Sequence, residues 1–176
     1  MDLGPRSNHH TSIAGEFAVL SQLALRGYDA NMTVGRTKGV DILVSMPDGR
    51  MYRLEVKTNW KRSRSAGGSS ALFGKFVSAW MMGEKHERLT DPLLFYCFVN
   101  ISPDGKSFRF FVVPSAVVAK YVKVQHRLWL DADAKHSREN TLRTFRIGTK
   151  GEHYPVPTPC AEDWENNWEF KNEPAK

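Results

Sequence analysis

Long apolar runs are missing from this 176-residue chain. No stretch approaches the roughly 20 consecutive apolar residues of a membrane span. The opening residues, Met1-Asp2-Leu3-Gly4-Pro5-Arg6, lack the apolar centre of a signal peptide. Cysteine is nearly absent as well. Cys97 and Cys160 form no CxxC pair, which argues against a disulfide scaffold and a thiolate zinc site. Cys97, inside the apolar run Leu93–Val99, is expected to be a small buried hydrophobe in a reduced protein, and a cytoplasmic location is expected. There is no GxxxxGK[ST], so Gly35, Gly39 and Gly49 make no phosphate-cradling loop, and no Ser–His–Asp or Cys–His arrangement has local support. His9 and His10 are adjacent rather than four apart, which suits a solvated arm better than a metal pair. No low-complexity tract or linker divides the chain, so residues 1–176 are expected to form one domain. Acidic excess is missing too. Twenty-five Lys and Arg against 19 Asp and Glu give a net charge of +6, which favours a polyanionic partner only modestly.

The informative stretch is Gly39–Thr58, GVDILVSMPDGRMYRLEVKT. Asp41 opens the apolar run Ile42-Leu43-Val44, and Met46-Pro47-Asp48-Gly49-Arg50 carries turn chemistry. Tyr52–Lys57 then alternates apolar and polar as a strand does. The three together predict a β-hairpin. A three-residue loop at Pro47–Gly49 pairs Asp41 with Glu55, and a two-residue loop shifts that partner by one position. Glu55 and Lys57 are two apart and share a face. Two carboxylates opposed across a ladder would sit roughly 5 Å apart and repel, a geometry that a bound cation would relieve.

Around this hairpin the chain organises readily. Residues 1–10 read as a loose arm. A helix is expected from Thr11 or Ser12, with Ile13, Phe17, Leu20 and Ala24 at helical spacing and Gly27 as its stop. Tyr28–Val34 suggests a short strand. The segment from Lys61 to Ser70 is basic and rich in Gly and Ser, as a loop would be. The spacing of Phe73, Phe76, Val77, Trp80 and Met81 predicts a helix over Leu72–Leu89. Asp91–Ser102 and Ser107–Val113 flank a near copy of the first turn and predict a second hairpin. A helix from Pro114 or Ser115 to about Leu130, an edge strand at Arg143–Ile147 and a tail, residues 154–176, wrapping the body complete the expected order. Trp164 and Trp168, four apart in that tail, are read as helix packing rather than base-stacking platforms.

With Asp41, Glu55 and Lys57 placed, the chain resembles the PD-(D/E)XK nuclease superfamily, and within it the Holliday-junction-resolvase-like branch. The residues that carry the resemblance are the helical Ala14-Gly15-Glu16-Phe17-Ala18, then Gly39-Val40-Asp41-Ile42, then Leu54-Glu55-Val56-Lys57-Thr58. The resemblance covers about residues 11–60. It implies an α/β fold with a restriction-endonuclease-like core, a central mixed β-sheet flanked by helices. It also implies a Mg²⁺-dependent endonuclease, with Mn²⁺ as a substitute, acting on nucleic acid and most naturally DNA. Asp41 and Glu55 would bind the ion, Lys57 would orient a water or stabilise charge on the phosphate, and Glu16 would join as a catalytic or metal residue. The Val56 carbonyl is a further candidate ligand. Lys61, Arg62 and Arg64, with Arg36 and Lys38 before Asp41, are candidate contacts to the nucleic-acid backbone. A homodimer and a partner protein that supplies specificity both remain open.

Pro47-Asp48 followed by Glu55-x-Lys57 matches the superfamily's name literally. Asp48, however, lies in the turn, seven residues from Glu55, and at strand rise it would be about 20 Å away. Asp41 is therefore the better partner. Each residue also has a plainer reading. Glu16 could complement a helix dipole, Asp41 could simply begin a strand, and Glu55 with Lys57 could be a solvated cross-strand pair. A nucleic-acid-binding or protein-interaction module that keeps this fold without cleaving is the alternative function.

Overall fold

A computed structural model describes residues 7–33, 39–60 and 68–174. The first helix, α1 (Asn8–Leu25), begins at Ser7. The Ser7 hydroxyl accepts from the His10 amide at 3.4 Å, and the Ser7 amide donates to His10 Nδ1 at 3.2 Å. This reciprocal cap starts the helix one turn before the expected Thr11 or Ser12. His9 and His10 therefore belong to a first turn rather than to a loose arm. The cap escapes a sequence search because histidine stands where Glu or Gln usually closes the box. At the other end Gly27 adopts φ +79°, and the amides of Gly27 and Tyr28 bond back to the carbonyls of Ala24 and Leu23. That is a Schellman stop, as the glycine suggests.

Strands β1 (Asp29–Met32), β2 (Ile42–Ser45) and β3 (Met51–Trp60) follow as an antiparallel meander. Ser45 pairs with Met51 and Ile42 with Leu54. The Met46 amide bonds to the Arg50 carbonyl, leaving the three-residue loop Pro47–Gly49 with Gly49 at φ +84°. Extended one residue, this register would set Asp41 against Glu55, but the ladder ends at Ile42–Leu54 and the Asp41 amide also bonds to the Leu54 carbonyl.

Next come the short strands β4 (Gly68–Ser70) and β5 (Gly74–Phe76), which pair with each other. Beyond them are β6 (Ser78–Gly83) and a 3₁₀ turn at Glu84–Arg88. The helix expected over Leu72–Leu89 does not form. Its apolar spacing also fits a strand, since Ser78, Trp80 and Met82 alternate inward. The deciding partner is distant: β6 pairs antiparallel with β9 (Leu142–Ile147), setting Trp80 opposite Phe145. Tertiary pairing overrides local periodicity here. β9 is thus half of a two-stranded ribbon rather than an edge of the main sheet.

The second hairpin, β7 (Leu94–Ile101) and β8 (Phe108–Pro114), and the helix α2 (Ser115–Ala132) form as expected. β7 pairs parallel with β3, Glu55 beside Tyr96 and Lys57 beside Phe98. The result is a mixed five-stranded sheet in the order β1-β2-β3-β7-β8, flanked by helices.

The sheet buries both faces. On one, Val19 and Leu23 of α1 pack on Leu54, Val56, Cys97 and Val99. On the other, Trp80, Phe145, Val118 and Tyr121 close over Tyr96, Phe98 and Phe111. The tail wraps the β8 edge through the short helix α3 (Ala161–Trp164). Trp164 enters the second core and Trp168 the first, so the two tryptophans straddle the sheet instead of sharing a helix face. Among the described residues, no helix is long and apolar enough to cross a membrane.

One close approach fixes α1 on the sheet. A Cβ added at Gly15 would lie 1.8 Å from Thr58 Oγ1 and 2.9 Å from Thr58 Cβ, so only glycine lets the helix sit this near β3. Gly15→Ala is predicted to cost about 1–3 kcal/mol through overpacking, which is roughly 2–4 °C in melting temperature per kcal/mol. A thermal melt that equals the wild type would show that the helix is not seated against Thr58.

Candidate functional site

The site lies where β2 stops and β3 continues. The Asp41 amide bonds to the Leu54 carbonyl at 2.8 Å, one step beyond the Ile42–Leu54 pair. Its side chain then takes the place of the next rung, because Asp41 Oδ2 accepts from the Val56 amide at 2.7 Å. The carboxylate is therefore held where β2 ends, against the central strand β3. In a strand, a residue's N–H and C=O point the same way, so the Val56 carbonyl is directed to the side on which Asp41 sits.

Glu55 is only 2% exposed, and its two carboxylate oxygens have different surroundings. Oε1 meets Lys57 Nζ at 2.6 Å, His86 Nε2 at 3.2 Å and Lys85 Nζ at 3.9 Å. Oε2 is buried without a hydrogen bond among the described residues. The turn at Gly39, φ +77°, passes beside it, where an added Cβ would stand 3.3 Å from Oε2. Burial opposes ionisation of Glu55, but the His86 hydrogen bond and the charge and hydrogen bond of Lys57 outweigh it, holding the carboxyl down to about 2.

Asp41 and Glu16 behave in the opposite sense. Burial raises the pKa of Asp41, and Glu55's charge adds to it against the Val56 hydrogen bond and the lysines. Glu16, on α1 beside Gly15, is raised by burial and by Asp41, partly offset by His9 and Lys57. The fold thus brings Glu16, Asp41, Glu55 and Lys57 into one electrostatic cluster. Asp48 stays outside it, in the turn, ion-paired with Arg50 at 2.6 Å. Lys61, Arg62, Arg64, Arg36 and Lys38 lie outside the described residues.

Three participants were not visible in the sequence. Lys85 and His86 come from the 3₁₀ turn, and Tyr96 comes from β7. Tyr96 Oη is a second buried oxygen with no well-formed hydrogen bond, yet it lies close to Glu55: burial raises its pKa first, then the Glu55 charge and a hydrogen-bonding contact with that carboxylate. Nothing in the local pattern Gly83-Glu84-Lys85-His86-Glu87-Arg88 announces a site.

Chemically, the cluster offers hard oxygen donors. Among the described residues no three His, Cys, Asp or Glu side chains converge tightly enough to form a metal cluster by themselves. A Mg²⁺-type ion does not require that, since it keeps several waters and uses one or two carboxylates. The orphaned Glu55 Oε2 and the unneutralised Asp41 fit such an ion.

Comparison with solved structures adds a fold. The chain is similar to a bacterial homing endonuclease, I-Ssp6803I. The superposition covers 94% of this chain and 91% of that one with a TM-score of 0.51, at 12% sequence identity. No family model matches the sequence, and no curated protein does. The likeness thus lies in the architecture, the mixed sheet with its flanking helices.

The opposed pKa shifts make a prediction about the metal-free protein. Glu55, held below its ordinary 4.5, adds stability above that pH and loses it as pH falls toward about 2. Asp41 and Glu16, raised in the fold, oppose folding when ionised, and acid relieves them. Asp41→Asn, which keeps an acceptor for the Val56 amide, and Glu16→Gln should both raise the melting temperature at pH 7. That gain should fade as pH falls through the raised value of Asp41 toward its ordinary 3.8. Glu55→Gln should cost about 1–3 kcal/mol by leaving Lys57 and His86 without their anion. Thermal melts in chelator between pH 3 and 8 check all three, and a destabilised Asp41→Asn would contradict the assigned repulsion.

Proposed function

We propose that this protein is a metal-dependent nuclease that hydrolyses phosphodiester bonds, with DNA as its substrate, and that it belongs with the PD-(D/E)XK enzymes it resembles. The observation that carries the reading is the Glu55 carboxylate, buried and held ionised, with one oxygen neutralised by Lys57, the other lacking a well-formed hydrogen bond among the described residues, and Asp41 within its electrostatic reach. The fold shared with a homing endonuclease supports it.

Asp41 and Glu55, with the Val56 carbonyl and Glu16, would hold a divalent cation. When bound, that ion supplies charge neutralisation at the attacked phosphate and acidifies a water. The chain's own part falls to Lys57. Its ammonium has three N–H donors, one of which is spent on Glu55 Oε1 at 2.6 Å. Two remain to orient the attacking water and to bond a phosphate oxygen as its charge grows. Glu55 thus aims Lys57 while contributing its other oxygen to the ion.

A non-cleaving nucleic-acid-binding module of the same fold draws on one observation, that among the described residues no three His, Cys, Asp or Glu side chains form a closed cluster. It leaves unexplained why three carboxylates would face a polyanion with nothing to neutralise them.

The decisive experiment is a panel of DNA and RNA substrates with Mg²⁺ or Mn²⁺. Wild-type protein should cleave, chelator should abolish cleavage, and Lys57→Ala should lower the rate about 10²–10⁴-fold. Equal, metal-independent activity in both proteins would overturn the mechanism. Replacing Lys61, Arg62 and Arg64 by Ala, or Arg36 and Lys38 by Ala, should weaken DNA binding and flatten its salt dependence, with about 0.9 lost from the slope per phosphate contact removed. An unchanged slope would remove those residues from the interface.

A further inference from the structure

The unequal oxygens of Glu55 pose a question of mechanics. A buried carboxylate oxygen without a hydrogen bond costs about 1–3 kcal/mol or more, and rotating the side chain would share the burden between Oε1 and Oε2. The contacts at Oε1 oppose such a rotation. Lys57 and Lys85 are flexible chains with side chains 28% and 57% exposed, and a mobile ammonium follows a carboxylate wherever it turns. His86 is different. It is 3% exposed, and its ring cannot move freely. Nδ1 lies 3.1 Å from the Gly83 amide and 2.8 Å from the Gly83 carbonyl, so the backbone grips it whether Nδ1 accepts or donates. Tyr96 stands edge-on to the ring, at 5.6 Å between centroids and 71° between planes. An ionised carboxylate only accepts, so Nε2 carries the hydrogen of the 3.2 Å contact to Oε1.

We propose that His86 is a positioning residue of this site. It clamps Glu55 Oε1 from the 3₁₀ turn so that Oε2, beside the Gly39 turn, is the oxygen presented to the divalent ion. This rests on the metal-dependent reading above and extends it to a residue outside the Asp41, Glu55 and Lys57 pattern. A histidine that orients a ligating carboxylate belongs to the outer layer of contacts around a metal, where loss of one partner typically costs 10–100-fold in metal affinity.

The test is Mn²⁺ binding to the full chain at pH 7, followed by the electron paramagnetic resonance of the free ion and independent of cleavage. Glu55→Gln establishes whether the ion sits at this site. If wild-type protein binds no Mn²⁺, or Glu55→Gln binds it equally well, the metal reading itself fails, and His86 falls with it. If binding depends on Glu55, two variants isolate His86. His86→Asn can still meet Gly83 but is too short to reach Oε1, and His86→Gln restores an N–H at the reach of Nε2. Asn should weaken Mn²⁺ by about 10–100-fold, and Gln should stay within about 3-fold of wild type. Equal affinity in wild type and both variants, or equal loss in both variants, overturns the proposal. Melts in chelator show whether each variant folds. A measurement on unaltered protein stands beside them: ¹⁵N spectra of labelled histidine should show a protonated, hydrogen-bonded Nε2 on His86 before and after Mg²⁺ saturation. Loss of that signature on adding Mg²⁺ would also overturn the clamp.

Discussion

A carboxylate removed from water must either neutralise itself or gather cations, and Glu55 gathers them. Burying an isolated ion costs several kcal/mol even after relaxation. Here the cost is offset by Lys57 from the same strand and by Lys85 and His86 from a different part of the chain. Much of the architecture follows from that requirement. The parallel pairing of β3 with β7 sets Tyr96 beside Glu55, and the ribbon β6–β9 ends at Gly83, where it hands the chain to the 3₁₀ turn. The ribbon is held in turn by Trp80 against Phe98, Phe111 and Phe145 and by the Ser78 hydroxyl on Asn100. An aromatic core distant in sequence thus determines where His86 meets Glu55.

The other half of the site depends on a strand that ends early. Had β2 continued, a backbone carbonyl would take the Val56 amide, but the Asp41 side chain takes it instead. This places a second carboxylate just past the end of β2, beside the central strand, without a lysine of its own. The glycine turn at Gly39 leaves room beside Glu55 Oε2, and Gly15 lets α1 approach closely enough to bring Glu16 in from the other side. The acids then divide into one that is neutralised and two that are not, which is what the opposite directions of their pKa shifts express.

The parts of this arrangement visible in the sequence are the local ones. Pro47-Asp48-Gly49 selects its loop length from turn chemistry alone, and the loop length fixes the β2–β3 register up to the Ile42–Leu54 pair, just short of Asp41 and Glu55. The second hairpin and α2 are equally local, and so is the stop at Gly27. Where a partner is distant the sequence is silent or misleading. The apolar spacing from Phe73 to Met81 fits a helix as well as a strand, and only β9, some sixty residues later, decides between them. His86 and Lys85 inherit that blindness, because a misassigned helix hides the turn that delivers them. The start of α1 is hidden in the sequence for a smaller reason, a histidine in a capping role that glutamate usually fills.

Charge gives the last constraint. The chain as a whole carries +6, which draws a polyanion toward it. At the site the balance reverses: Glu16, Asp41 and Glu55 face two ammonium groups, Lys57 and Lys85. A phosphate approaching the bare cluster would therefore be attracted at long range and repelled at close range. A divalent ion held by Asp41 and Glu55 would invert the local sign and remove that conflict. Under the nuclease reading the same ion then makes binding and chemistry conditional on one event. The protein would hold its substrate productively only when the ion is present, and the clamp on Glu55 Oε1 is what keeps the receiving oxygen turned toward it.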